Sequence, residues 1–127
     1  MASSQGLRKK PLLAPEQREQ LLDNGRKQQD AQAKGGEEDF FPVVKLFTPE
    51  AGATWLLSEL DPDDPDIAFG LCDLGLGFPE LGYVSLSELE ELRGPLGLPV
   101  ERDRHFRAKK PITDYARDAH AVGRIVT

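Results

Sequence analysis

Two Asp-Pro steps stand within "DPDDPD" (Asp61 to Asp66), and apolar runs flank them: "TWLLSEL" (Thr54 to Leu60) and "IAFGLCDL" (Ile67 to Leu74). A residue before proline is pushed out of the helical region, and aspartate and proline both favour turns. Both apolar runs therefore read as strands. A parallel crossover needs a dozen or more residues, and the connection here is far shorter, so the two strands form an antiparallel hairpin with an acidic tip.

The same logic extends outward. "FFPVVKLFTP" is β-branched and aromatic and predicts a strand near Val43 to Phe47, turned by "EAGA" (Glu50 to Ala53) into the next. "GYVSL" (Gly82 to Leu86) predicts a short fourth strand. In "SLSELEELRGPLG", Ser87 with Glu90 three residues on forms a capping-box pattern, and Leu86, Leu89 and Leu92 fall on one helical face. Arg93 ends that helix, with Gly94 and Pro95 as its stop. "PVERDRHF" (Pro99 to Phe106) alternates, with Val100, Arg102, Arg104 and Phe106 on one side, as an edge strand does. A last helix spans about Thr113 to Val122, with Tyr115, Ala119 and Val122 inward and Gly123 closing it.

Near the N-terminus, "PEQREQLLDNG" predicts a short helix over residues 15 to 23 that docks through Leu21 and Leu22 and breaks at "DNG" (Asp23 to Gly25). A polar linker follows through "KGGEED" (Lys34 to Asp39). The fold class is α+β: a curled antiparallel sheet of four to five strands with one or two helices packed on it, plus the polar N-terminal helix. The expected organisation is a partly disordered helix and linker (1–39), a single α+β domain (40–123) and a tail (124–127).

With 127 residues the chain supports one small core. Apolar runs of four or five residues are far below the roughly 20 needed to span a bilayer, and no secretory leader is visible. The lone cysteine, Cys72, has no partner for an intramolecular disulfide, so a cytoplasmic location is expected.

Charge is unevenly placed. Residues 1–36 carry net +3, residues 37–91 carry −13 with Lys45 as their one basic residue, and residues 92–127 carry +4. Self-repulsion in the middle segment would oppose compaction, so the basic C-terminal segment is expected to pack beside it.

Motifs for specific chemistry are sparse. An EF-hand loop from Asp61 would need glycine sixth and glutamate twelfth, where Asp66 and Cys72 stand. Gly75 and Gly77 begin a dinucleotide-type pattern that lacks its third glycine and contains a proline. Cys72 has no neighbouring base, and His105 and His120 have neither zinc spacing nor a triad to join. The expectation is no cofactor, no metal and no catalytic residue.

Several linked stretches stand together: "KLFTP" (Lys45 to Pro49), Trp55, "ELGYVSLSELE" (Glu80 to Glu90), "RGPLGL" (Arg93 to Leu98) and "ERDRHF" (Glu101 to Phe106). In these the chain resembles a bacterial family of unknown function carried on plasmids and mobile elements. That resemblance covers about residues 40–110, with "LLAPEQREQLLDNG" similar to the family's N-terminal helix. It implies an antirestriction or plasmid-maintenance setting and no particular chemistry.

Three functions follow as expectations. The first is a non-enzymatic accessory protein whose acidic face, Glu59, Asp61, Asp63, Asp64, Asp66, Glu88 and Glu91, engages a protein partner with a basic, DNA-handling surface. The second is direct single-stranded nucleic-acid binding by the basic C-terminal segment, with Phe106 and Tyr115 for stacking. The third is a ligand-binding or enzymatic site. Glu80, Tyr83, Arg102, Arg104, Phe106 and Arg107 are the contact candidates for the last two readings.

Overall fold

A computed structural model describes residues 11–127. In chain order it contains α1 (Pro15–Ala33), β1 (Val44–Phe47), β2 (Thr54–Asp61), β3 (Asp64–Asp73), β4 (Glu80–Ser85), α2 (Leu86–Glu91), β5 (Glu101–Arg102) and α3 (Ile112–Val122). The strands form one open antiparallel sheet in the order β4-β3-β2-β1-β5.

The architecture is α+β, as the hairpin chemistry predicts. Helices cover both faces of the sheet. Leu21 of α1, with Leu12 and Leu13 before it and Leu86 and Leu89 of α2, packs on Trp55, Leu57 and Leu60. On the opposite face, Ile112, Tyr115, Ala116 and Ala119 of α3 pack on Leu56 and Leu71. The central strand β2 is thus buried on both sides, which is why "TWLLSEL" reads as a continuous apolar run rather than an alternating one.

One irregularity organises that strand. Leu57 pairs with Gly70 and Glu59 with Phe69, so Ser58 is an extra residue, a β-bulge. The insertion resets the side-chain alternation. Leu60 therefore joins Trp55 and Leu57 under α1, and Glu59 turns to the other face beside Phe69.

The helix predicted to stop at "DNG" instead runs on to Ala33. Asn24 is buried, and its Nδ2 donates to the Ser58 carbonyl at 2.9 Å, while its Oδ1 accepts from Gln20. A Cβ on Gly25 would lie 1.8 Å from the Leu60 carbonyl oxygen. The pair that looks like a helix breaker is the point where α1 touches the bulged strand.

Other boundaries shift for local reasons. The N-cap of α2 is Ser85, whose Oγ accepts from the Glu88 N–H at 3.2 Å, and not Ser87. Two Ser-x-x-Glu frames overlap here; the earlier one buries Leu86 and Leu89 and leaves Leu92 exposed. The expected edge strand at residues 99–106 shrinks to Glu101–Arg102, because the chain turns at Asp103, whose Oδ1 accepts from the His105 N–H. Val122, expected inward, is exposed. Gly123, at φ 83°, closes α3 as its pattern predicts. Ile125 packs against the α3 layer, and its N–H donates to buried Asp73 at 3.0 Å.

Gly25→Ala tests the docking point. Helix propensity alone would make alanine up to about 1 kcal/mol stabilising. The close contact with backbone predicts instead a net loss of roughly 1–3 kcal/mol, read as a lower denaturant midpoint at unchanged slope.

Candidate functional site

Past its contact with the bulge, α1 continues beside the β2–β3 hairpin, and the chain then returns along residues 34–39. Gln28 ties these together. Its side-chain amide accepts from the Glu38 N–H at 2.9 Å and donates to the Glu38 carbonyl at 3.0 Å and to Glu59 Oε1 at 3.2 Å. Gln29 donates to Asp63 at 3.0 Å. Asp39 accepts from the Thr113 hydroxyl and N–H, which caps an α3 N-terminus where Pro111 has no capping side chain.

These elements enclose a cleft of about 300 Å3. Among the described residues its walls carry Glu37, Glu38, Asp39, Glu59, Asp61 and Asp63 and no Lys or Arg; Ile67, Phe69, Leu81 and Tyr83 form the apolar side. Phe69 and Tyr83 sit edge to face across the β3–β4 pair, centroids 5.2 Å apart, and Tyr83 is 73% exposed. Aromatic faces and carboxylates are both complementary to a cation.

The acids divide into two kinds. Glu59 is a half-buried carboxyl whose pKa is raised by burial; the Gln28 hydrogen bond opposes the rise and the nearby Glu37 charge adds to it. Asp66 is the opposite case. Ser85 Oγ and Ser87 Oγ donate to it at 2.7 and 2.9 Å, and the Ser87 N–H at 2.9 Å, and these bonds hold its pKa down. Asp66 fastens the hairpin to the start of α2. Asp61 accepts from the Asp63 N–H at 2.9 Å and shapes the turn while facing the cleft. Asp64, Glu88 and Glu91 are exposed outside the cleft.

The C-terminal candidates are dispersed. Arg102 reaches the Leu12 carbonyl and Gln17 Oε1, tying β5 to the start of α1. Phe106 packs half-buried against Tyr115, which is 4% exposed and accepts from the Lys109 N–H, so the Tyr115 ring offers no free stacking face. Arg104, Arg107 and Glu80 are exposed. Lys110 pairs with Asp118, Arg117 with Asp114 and Lys45 with Asp103. The C-terminal segment does pack beside the acidic middle, α3 lying on Leu56 and Leu71, but among the described residues no ion pair reaches Glu59, Asp61, Asp63, Asp64 or Asp66.

Burial also pushes the Cys72 thiol up, the reverse of what a nucleophile needs. Among the described residues no three His, Cys, Asp or Glu side chains converge as metal ligands, and no helix is long and apolar enough to cross a membrane.

Residues 12–126 match DUF2958, described as a protein of unknown function. The chain belongs to the DUF2958 family. No curated protein and no solved structure matches it. For this family member the cleft itself is the most specific observation. Sequence reasoning found three of its acids, Glu59, Asp61 and Asp63, but missed Phe69 and Leu81, and it missed Gln28, Glu37, Glu38 and Asp39 because it assigned them to a linker. The run of good helix formers after Gly25 was the available signal.

Two substitutions separate the acids. Glu59 holds its proton more tightly folded than unfolded, so ionising it costs stability as pH rises through the carboxylate range. Glu59→Gln is expected to be at least as stable as the parent at pH 7, with its relative advantage shrinking in acid. Asp66, with its lowered pKa, stabilises above the unfolded carboxylate range and loses that contribution as pH falls through its folded value. Asp66→Asn is expected to be destabilised at pH 7, with the difference closing at acidic pH. Denaturant midpoints across pH 3–7 check both signs.

Proposed function

We propose that this protein is a non-enzymatic binding module whose acidic cleft receives basic side chains of a partner protein. The single observation that carries the reading is a preformed cleft with carboxylates on its walls, the Phe69–Tyr83 pair on its side and, among the described residues, no basic residue lining it. A lysine or arginine would place its stem on the aromatic rings and its charge in the field of Glu59, Asp61 and Asp63.

Leaving Glu59 ionised in a half-buried position beside Glu37 costs the folded chain something, and a bound cation would offset that cost. The resemblance to proteins of plasmids and mobile elements supports a DNA-handling protein as the partner class, since such proteins present basic surfaces. The intended contact face contracts from the seven acids expected from sequence to Glu59, Asp61 and Asp63, with Asp66 in a structural role.

A second reading, a ligand-binding or acid–base site, is favoured by one observation: the raised pKa of Glu59 inside a cavity. It calls for ligands whose binding is insensitive to salt, where the first calls for steep salt dependence.

Titration with lysine- and arginine-rich peptides at low and moderate salt tests the main reading. Tyr83→Ala is expected to weaken binding about tenfold, on the scale of an aromatic hot spot. The triple change Glu59→Gln, Asp61→Asn and Asp63→Asn should flatten the salt dependence, while Glu88→Gln with Glu91→Gln should leave affinity within about twofold. Equal binding by all of these proteins would remove the cleft from consideration.

A further inference from the structure

The two edges of the sheet are unequally protected. At one edge, β5 is two residues long, and both are charged. Natural edge strands are blunted in this way, or by Lys, Pro, bulges or a covering element, because a free row of N–H and C=O groups templates pairing with another chain.

At the other edge, among the described residues, β4 has none of these devices. "ELGYVS" contains no Lys, Arg or Pro, its one charge is Glu80 at the first position, and its six-residue ladder with β3 runs without a register shift. A Cβ placed on Gly82 would meet nothing within 4 Å. Among the described residues the backbone of Glu80 to Val84 makes no hydrogen bond beyond that ladder. The neighbouring surface is apolar: Leu76 is 74% exposed and Phe78 79%.

This edge is continuous with the cleft, because Leu81 and Tyr83, two residues apart on one face of β4, are among the residues lining it. We propose that β4 is a docking edge on which an extended, basic segment of a partner protein adds as a sixth strand, with alternate side chains directed over Tyr83 into the cleft. The inference rests on the cleft reading above and adds the conformation of what binds.

Charge complementarity selects the occupant. A second copy of this chain, at formal net charge −6, would bring acidic surface against acidic surface, whereas a segment with lysine or arginine at every second position matches the cleft's sign. Geometry is consistent with that choice. At about 4.8 Å per strand, the added backbone lies roughly 10 Å from β3 and roughly 14 Å from β2. A long basic side chain then lies over Tyr83 and Phe69, and its charge sits within about a Debye length, roughly 8 Å, of Glu59 on β2. The main-chain bonds supply affinity and the alternate side chains supply selectivity.

The test uses the full chain and a twelve-residue peptide alternating lysine and threonine. Three measurements are made: affinity, amide hydrogen exchange of β4, and affinity for the same peptide N-methylated through its central residues, which keeps every charge and removes the donors. Strand addition predicts at least tenfold slower exchange at alternate β4 amides and at least tenfold weaker binding of the methylated peptide. If the parent peptide binds with resonance shifts at Phe69 and Tyr83, but β4 exchange is unchanged and methylation has no effect, strand addition is overturned and the cleft reading stands. If replacing the lysines by glutamine leaves binding unchanged, or no peptide binds, both fall. A salt-resistant dimer of the free protein that protects the β4 amides would overturn the proposal in favour of self-pairing.

Discussion

The bulge at Ser58 is the feature on which the rest of the molecule depends. An unbulged β2 would carry Glu59 under α1 and Leu60 to the opposite face; one inserted residue exchanges them. The same insertion takes Ser58 out of the ladder with β3, and a buried carbonyl left without a partner costs about 1–3 kcal/mol. Asn24 supplies the missing donor, and Gly25 lets the helix backbone come close enough for it to do so. Helix position, core composition and the outward turn of Glu59 follow from one extra residue in one strand.

With α1 held there, its C-terminal half stands beside the hairpin. Gln28 and Gln29 then bridge from the helix to Glu38, to Glu59 and to the turn at Asp63, so the helix side of the cleft presents uncharged amides that bind backbone and carboxylate alike. Amides can hold acids in place without neutralising them. Such a wall stays acidic, as a lysine or arginine wall would not.

Two basic residues of the C-terminal segment, Lys110 and Arg117, pair with acids of their own segment, Asp118 and Asp114, and Lys45 of the middle segment pairs with Asp103. Exposed pairs of this kind contribute little to stability, about 0–1 kcal/mol each. Their larger effect is on where charge remains uncompensated. Among the described residues the cleft carboxylates are left without an ion pair, beside the β4 edge.

The strands, their antiparallel order of connection and the acidic tip were legible because Asp-Pro steps, glycines and β-branched runs act over a few residues. The closing glycine of α3 was legible for the same reason. The full length of α1 was not, since Asn24 and Gly25 look like breakers until a bulged strand lies against them. Nor was the choice between Ser85 and Ser87 as cap, which is settled by burial of Leu86 and Leu89 and by Asp66 taking the Ser87 N–H. The acids were visible as a group, yet their separation into structural Asp66 and cleft-facing Glu59, Asp61 and Asp63 was not. What the sequence determined by itself was local backbone geometry, through steric preference and short-range hydrogen bonding. What only the tertiary structure decided was the partner of each polar group, because that depends on which backbone groups the completed sheet leaves unpaired.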